Sequence, residues 1–512
     1  MKRTLGYSIT ILFLILCMWG CDREDQVKEE DDFNFLIARE AEISVPLTPF
    51  TSLDPLTTSN LSYFYLSSLV YEGLYTLDDH YRPKELLALE TEEEGDKTLV
   101  VRLRDGITFH DGSPLQAKDV LFSLQRLQHQ KEGPYVAMFM GDRTGEFPLH
   151  GEAINNTTIR FTYTGEGPFL KEYLIFPVVS QHSDFVSMPM GTGPFAFDRY
   201  YEKKELKLKR YENYHDELPT IVGIRGVVME DEDLIYTSLE TGRVQASTSW
   251  GKEYYRFFNN EKYKAKTFSS NKCFFLYLRP EGTLEEKSMR EALSKAINKD
   301  AIIKDVFFDH GIKTTGFINP NSYLYNLHQD NQNMDRAKQL LGEREGSDIA
   351  LYYYEKNEEH LLIAAKLKQD WEELGVSVTL KGSGQRSFEE FVDSLGTETY
   401  HVALMAMHTN LIGDYPVVLT NGGIFPNIPG ELVDYAAALK ATTTLEDMKK
   451  IHQTLDALIR DVDVFIPLIF TEEAFIYSKS IMGDFRSNNV FPYRDLKTAY
   501  FTTSNEEEKE EE

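Results

Sequence analysis

The sequence predicts an α/β protein built from more than one lobe. Its clearest unit is a strand over 349–354, a helix over 358–374 that Gly375 ends, and a second strand over 376–380. A helix that joins two strands at this spacing forms a βαβ crossover, so part of the sheet is predicted to be parallel. The chain has 512 residues, of which 42% are hydrophobic, and this length favours two or three lobes over one core.

The remaining elements follow from hydrophobic periodicity. Strands are predicted over 98–103, 158–163 and 206–209, and helices over 117–130, 288–299 and 445–460. In the helix over 288–299, one face carries Met289, Leu293, Ala296 and Ile297. Asp119 stands near the start of the helix over 117–130, where an acidic side chain favours the helix dipole.

The charge and the cysteines exclude two classes of protein. Lys and Arg total 54 against 82 Asp and Glu, a formal net charge of −28. Nucleic acid is therefore not expected as a partner, because phosphate binding requires basic patches. An acidic surface is compatible with cationic or amine-bearing solutes, although simple solvation explains it as well. Of Cys17, Cys21 and Cys273, only Cys273 lies in the body, which excludes an intrachain disulfide framework there.

The first 20 residues are typical of a lipoprotein signal peptide. Lys2 and Arg3 precede an apolar run over 9–19, which is shorter than the roughly 20 apolar residues of a membrane-spanning helix. The run ends in MWGC at 18–21, which resembles a bacterial lipobox with Met18 in the usual place of leucine. We therefore expect acyl chains such as palmitate on Cys21; an ordinary cleaved signal or an uncleaved anchor is the alternative.

Two charged segments flank the body. Residues 21–40 are predicted to form a tether between the lipid and the body, because the stretch over 22–32 is dense in charge. Residues 504–512 are predicted to form an acidic tail.

Five sets of motifs carry a family resemblance. They are SLDP at 52–55 with VYEGL at 70–74, LRDGITFHDGSP at 103–114 with AKDV at 117–120, GTGPF at 191–195, MREALSKAINK at 289–299 and FIPL at 465–468. In this order, they resemble the peptide and nickel family (family 5) of extracytoplasmic solute-binding proteins of ABC transporters. Most of the motifs are structural; Asp105-Gly106 and Asp111-Gly112, for example, are turn pairs in which glycine tolerates a positive φ.

The resemblance implies a bilobal clamshell of the periplasmic-binding-protein type (type II, cluster C) with an extra inserted lobe. The first lobe would combine 41–60, 175–270 and 471–503, the inserted lobe would span 61–174, and the large lobe would span 271–470. A peptide would be enclosed between the first and large lobes and delivered to an ABC permease. The protein is expected to be a monomer without a cofactor, on the extracytoplasmic side of a bacterial membrane, in the periplasm or at the cell surface.

The resemblance also implies candidate ligand-binding residues. Peptide binders of this family often pair the peptide α-amine with an Asp in a loop of the large lobe. Here the matching strand is 400–405 and the loop is 406–416, where Asp414-Tyr415-Pro416 is the nearest match. This loop lacks the usual Trp and is longer than is typical, so Asn410 is an alternative amine partner. Tyr63 and Phe425 are candidates for side-chain pockets, although a core position is favoured for each of them.

Other functions are weighed against this one. Within transport, the solute could instead be a nickel chelate, haem or an oligosaccharide; a peptide-sensing receptor without uptake is a further alternative. No direct metal site is expected, because His110 lies in a turn and His401 and His408 stand seven residues apart. Catalysis is not expected, since the chain lacks Gly-x-Ser-x-Gly, His-Glu-x-x-His and Gly-x-x-x-x-Gly-Lys-Ser/Thr motifs.

Overall fold

The computed structural model describes residues 41–501 apart from 131–132, 141–146, 232, 250, 327, 329–330, 413–418, 420–423 and 487. The predicted signal peptide, Cys21, the tether and the acidic tail lie outside the described residues, as do Asp414 and Tyr415. No helix within the described ranges combines the length and apolar character needed to span a membrane.

The described residues form an alternation of strands and helices along the chain. The strands are β1 (Glu42–Leu47), β2 (Tyr75–Leu77), β3 (Pro83–Glu85), β4 (Ala88–Glu93), β5 (Thr98–Leu103), β6 (Leu149–Asn155), β7 (Thr158–Tyr163), β8 (Phe195–Tyr201), β9 (Glu205–Arg210), β10 (Gly223–Val228), β11 (Ala246–Thr248), β12 (Tyr263–Leu278), β13 (Gly311–Lys313), β14 (Asp348–Tyr353), β15 (Ser377–Gly382), β16 (Val402–His408), β17 (Phe465–Ser478), β18 (Ile481–Met482) and β19 (Tyr500–Phe501). The helices are α1 (Leu61–Ser67), α2 (Ala117–Gln128), α3 (Pro134–Met140), α4 (Asp233–Glu240), α5 (Lys287–Ala296), α6 (Lys299–Phe307), α7 (Met334–Leu341), α8 (Glu358–Leu374), α9 (Phe388–Ser394), α10 (Gly430–Lys440) and α11 (Leu445–Val462).

Three larger sheets organise these strands. One has the order β1-β10-β9-β8 and joins the start of the body to residues 195–228, because β1 pairs parallel with β10. A second, antiparallel sheet has the order β4-β5-β7-β6. The third has seven strands in the order β11-β17-β12-β16-β14-β15, with β13 paired to β17. Each sheet therefore draws on a different set of chain segments.

The seven-stranded sheet is covered on both faces. Alternate residues of β12 enter different cores: Phe274 and Leu276 pack with α5, α6, α7 and α8, whereas Phe275 and Tyr277 share a core with α9, α10 and α11. Successive side chains of a strand point to opposite faces, so both sides of this sheet are buried. That burial explains why FIPLIF in β17 is almost continuously apolar.

The structure confirms several elements that periodicity predicts. β5, β7 and α8 have the predicted bounds, and β14 pairs parallel with β15, as the βαβ crossover requires. Gly375 adopts the left-handed conformation at the end of α8, with φ 100°. Gly106 and Gly112 have φ values of 79° and 82°, in agreement with the predicted turns.

One predicted helix is wrong in its extent. The helix expected over 288–299 is divided, because α5 ends at Ala296 and α6 begins at Lys299. Ile297 is extended (φ −71°, ψ 125°), and the Asn298 side chain accepts a hydrogen bond from the backbone N–H of Ala301. An asparagine that caps a new helix competes with continuation of the old one, and the apolar periodicity does not register that competition.

Candidate functional site

Two long antiparallel strands form the centre of the candidate site. β12 and β17 pair regularly from Tyr263–Ser478 to Ser269–Glu472, and the register shifts before Cys273 pairs with Phe470. Such a bulge bends the strand and disrupts the local ladder. β11 pairs with one end of β17, and β13 pairs with its middle. β12 and β17 therefore pair with each other on both sides of the bulge.

Polar groups collect at this bulge. Asn319 Nδ2 donates to the Ser270 carbonyl and to Asn271 Oδ1, both at 2.9 Å. The Ser270 and Thr471 hydroxyls are 2.6 Å apart, and the Thr409 N–H donates to the Asn271 carbonyl at 2.8 Å. The end of β16 is thus attached to the bulge, and the predicted ligand loop begins there.

Three tyrosines from distant segments lie in the same region. Tyr81, between β2 and β3, donates from its hydroxyl to Asn489 Oδ1 at 2.6 Å and is held in a left-handed conformation with φ 59°. The rings of Tyr65 and Tyr493 lie 6.4 Å apart and are almost perpendicular. A non-glycine residue in this conformation costs on the order of 1 kcal/mol, so the surrounding packing must hold Tyr81 in place.

Glu473 of β17 is the carboxylate that belongs to this tyrosine group. Burial raises the pKa of Tyr65 and of Tyr81, and the charge of Glu473 raises both further. Burial raises the pKa of Glu473 itself to about 7. The side chain is nevertheless half-buried rather than fully buried. Sequence reasoning missed Glu473; the available signal was a pair of acids, Glu472 and Glu473, inside an apolar strand.

Contacts between the predicted inserted and large lobes lie beside this region. The Tyr323 N–H donates to the His80 carbonyl at 3.0 Å, and the Tyr323 hydroxyl donates to Glu172 at 2.6 Å. Elsewhere, the Gly167 N–H donates to the Lys440 carbonyl at 2.7 Å. A small apolar cavity near this second contact is lined by Leu170, Tyr173, Ile412, Leu439 and Met448. The two predicted lobes therefore touch at separate points.

The structure extends the strand that precedes the predicted loop. The strand expected over 400–405 is β16, Val402–His408, because its ladder with β12 continues to the pair Lys272–His408. The loop therefore begins at Thr409 and not at Ala406, and Asn410 lies two residues beyond the strand. Asn410 is half-buried next to the bulge, whereas Asp414 and Tyr415 lie outside the described residues.

The two predicted aromatic candidates are buried in packed clusters. The Tyr63 hydroxyl donates to the Leu53 carbonyl at 2.5 Å, and its ring stacks on Phe50 at 4.8 Å. Phe425 packs against Tyr277, with the ring centroids 4.6 Å apart. Each makes the contacts of a core residue, so neither shares the exposure of Glu473.

The histidines occupy structural positions. His401 Nδ1 accepts from the Ala350 N–H at 2.9 Å, and His408 stands at the other end of β16. Seven residues of extended strand span about 23 Å, so these two imidazoles cannot share a metal ion. His110 accepts the Gly191 N–H at 3.4 Å and contacts the Gly193 carbonyl at 3.0 Å. No group of three metal-ligating side chains occurs among the described residues.

Three of the sequence motifs meet at one structural junction. Glu72, in VYEGL, accepts hydrogen bonds from Thr192 at 2.9 Å and Tyr214 at 2.7 Å and lies 2.8 Å from His215 Nε2. A Cβ atom on Gly191 would lie 1.9 Å from the Val70 carbonyl oxygen, so only glycine fits this approach. The motifs therefore hold the chain segments around 70 and 191 together, which accounts for their residue types without a solute.

Comparison with known proteins identifies the family of this chain. The profile of the bacterial extracellular solute-binding proteins, family 5, matches residues 82–424, more than half of the chain. The chain belongs to this family. The match confirms the resemblance that the sequence motifs carry, and the chain is therefore an extracytoplasmic solute-binding protein. It also confirms that no catalytic activity is to be expected, because these proteins are non-enzymatic components of transport.

Relatives within the family differ in what they bind. The glutathione-binding protein GsiB of Escherichia coli K12 is 22% identical over 475 residues, which cover 85% of this chain and 90% of GsiB. A nickel ABC transporter structure from Bacillus halodurans is 18% identical, with a TM-score of 0.76, covering 90% of this chain and all of the other. The oligopeptide-binding protein AppA of Bacillus subtilis, in complex with a nonapeptide, is 15% identical, with a TM-score of 0.58 and coverage of 91% and 99%. These likenesses confirm the predicted bilobal α/β fold.

Proposed function

We propose that this chain is the lipid-anchored substrate-binding component of an ABC importer and captures a peptide between its first and large lobes. The observation that carries the proposal is the polar, tyrosine-lined region where β12 and β17 pass between the predicted lobes. Asn271, Asn319 and Thr409 supply amide and hydroxyl groups there, and Glu473 supplies a carboxylate. Backbone and amide groups of this kind can hold an extended peptide independently of its side chains.

The relatives support a peptide-like solute. GsiB is named for glutathione, which is itself a tripeptide, and AppA is bound to a nonapeptide. The similarity to a nickel ABC transporter structure leaves a nickel chelate as an alternative solute. Direct protein ligation of a metal has no support among the described side chains, because no cluster of three suitable ligands occurs there.

Delivery to a permease follows from closure of the lobes. A solute shifts the balance between open and closed forms only through its higher affinity for the closed form. The permease would then recognise the closed form as the loaded one. Acyl chains on Cys21 would keep the protein at the membrane, because two or more chains give stable anchoring.

Native mass spectrometry of protein purified from membranes without refolding tests this proposal. We expect a bound mass that fragments into amino acids and that exhaustive dialysis removes. A bound nickel chelate, haem or oligosaccharide would contradict peptide capture. Co-purification of a permease would support uptake, and a membrane partner without transport activity would instead indicate sensing.

A further inference from the structure

The environment of the half-buried Glu473 differs from that of the fully buried carboxylates. Glu72 has three polar partners, Glu172 accepts from Tyr323, and Asp54 pairs with Arg126. Across the described residues, the Glu473 side chain has neither a hydrogen bond nor an ion pair. Buried carboxylates in folded proteins are normally paired or hydrogen-bonded, because desolvation of an isolated charge is costly. Within the described part of the chain, the Glu473 carboxylate therefore keeps free acceptor positions, which an external donor can use.

The described neighbours of Glu473 supply no cationic partner. The groups that interact with its charge are the phenols of Tyr65, Tyr81 and Tyr254, and none of them is a cation. The Tyr81 hydroxyl is engaged with Asn489, and the Tyr254 hydroxyl donates to the Glu472 carbonyl at 2.9 Å. No lysine, arginine or histidine of the described ranges pairs with Glu473. The carboxylate is thus left with an accepting capacity that no described cation uses.

Aromatic rings complete a site suited to a positive charge. Tyr65 stands almost perpendicular to Tyr493 at 6.4 Å, and the two buried rings form an aromatic layer beside the carboxylate. The faces of such rings attract cations within about 6 Å of the ring centroid, and the attraction is stronger where water is excluded. One carboxylate among tyrosine rings is therefore complementary to an ammonium group and poorly suited to an anion.

We propose that Glu473 binds an ammonium group of the solute where β12 and β17 pass between the predicted lobes, which identifies the solute as a cation-bearing molecule. This inference rests on the proposed function, since it assumes that solute enters between the lobes. For a peptide α-amine, Glu473 is an alternative to the partner expected at Asp414; for a side-chain ammonium, it is an additional site. The ammonium could be the α-amine of a peptide or that of a lysine-like side chain, and the same chemistry serves both.

Binding should be coupled to proton release. The pKa of about 7 means that Glu473 is close to half protonated at neutral pH in the empty protein. An adjacent ammonium favours the carboxylate and lowers its pKa, so binding expels part of a proton. Affinity for a cationic solute should therefore rise as pH increases from about 5.5 to 8 and level off above that range.

Isothermal titration calorimetry with four probes tests the inference. The probes are Ala-Lys-Ala, its N-acetyl form, Ala-norleucine-Ala and spermidine. We expect Glu473→Gln to weaken binding of Ala-Lys-Ala at least tenfold. Glu472→Gln is the matched control, because this adjacent side chain points to the opposite face of β17 and accepts a hydrogen bond from Thr267; it should change affinity less than twofold. If Glu473→Gln no longer changes the affinity for the acetylated peptide, the group that Glu473 binds is the α-amine. If it no longer changes the affinity for the norleucine peptide, that group is the lysine side chain.

Proton release separates a binding role from a structural one. Titrations of the wild-type protein at pH 7 in phosphate and in Tris should differ in enthalpy through the released proton, and those of Glu473→Gln should differ much less. Equal affinity of the wild-type protein and Glu473→Gln for a cationic probe would overturn the inference. If spermidine binds through Glu473 and no tripeptide binds, peptide capture is rejected and the ammonium site at Glu473 is retained. If none of the four probes binds, both peptide capture and the ammonium site are rejected.

Discussion

The Glu473 side chain is half-buried and has no hydrogen bond or ion pair with the described residues, which has a consequence for stability as well as for binding. An acid whose pKa is about 7 in the folded protein and near 4.5 when unfolded binds more protons when folded. Folding stability therefore falls as pH rises from about 4.5 to 7 and stays reduced above that range. The charged carboxylate therefore lowers the stability of the empty protein and raises its affinity for a cationic solute.

We predict that Glu473→Gln stabilises the empty protein relative to wild type in a pH-dependent way. The difference in free energy of unfolding should be smallest at pH 5 and should grow by about 2 to 3 kcal/mol at pH 8, because only the carboxylate becomes charged. Urea denaturation of dialysed protein at the two pH values measures it. A difference that is the same at both pH values would show that Glu473 is not a buried carboxylate of raised pKa.

Asp414 remains the predicted partner of a peptide α-amine. Asp414→Ala should weaken binding of free-amine peptides by about tenfold and of N-acetylated peptides much less, because only the former leave an ammonium unpaired. Competition binding with matched peptide pairs measures the ratio. Asn410→Ala is the informative comparison, since a larger selective loss there would transfer the role to Asn410. Equal loss for both peptide forms with both variants would remove the α-amine from this loop.

At the scale of elements, close backbone approaches fix how the segments meet. The GTGPF segment lies against Val70, and Gly193 would place a Cβ atom 2.6 Å from the Leu69 carbonyl oxygen. Ordinary Cβ contacts are never that close, so a larger residue must move the backbone. The same junction contains Glu72 and its three polar partners, so a shift there disturbs several hydrogen bonds together.

Gly191→Ala should therefore lower the free energy of unfolding by about 3 kcal/mol, because overpacking against backbone cannot be relieved by a rotamer change. Gly396→Ala is the control, since nothing lies within 4 Å of its added Cβ atom. That variant should remain within about 0.5 kcal/mol of wild type. Chemical denaturation of both variants provides the measurement, and equal stabilities would contradict the close approach at Gly191.

Local sequence predicted elements better than it predicted where they end. α8 and β5 have the expected bounds, because their apolar periodicity and terminal residues agree. The division between α5 and α6 was missed, since Asn298 caps the second helix within an unbroken apolar pattern. β16 runs further than predicted because β12 lies beside it and supplies ladder hydrogen bonds to His408. Such partners are distant in sequence and leave no local signal.

At the scale of the whole molecule, anchoring is the property that can be tested independently of the solute. Cys21→Ser should move the protein from the membrane fraction to the soluble extracytoplasmic fraction, because the serine side chain lacks the thiol that carries the acyl chains. Palmitate labelling and detergent phase partitioning measure the change. Solute affinity should stay unchanged in this variant, and a Cys21→Ser protein that remains in the membrane would exclude the lipid anchor.

The sequence by itself determined the α/β class, the family and most helices and strands, because periodicity and turn residues act over a few positions. It also provided the motifs that hold the segments around 70 and 191 together. Only the tertiary structure joined Tyr81 to Asn489, 408 residues further along the chain, and placed Glu473 among tyrosines. Whether a carboxylate is buried, paired or left open depends on packing between such distant segments. Local patterns therefore could not identify it as a binding group.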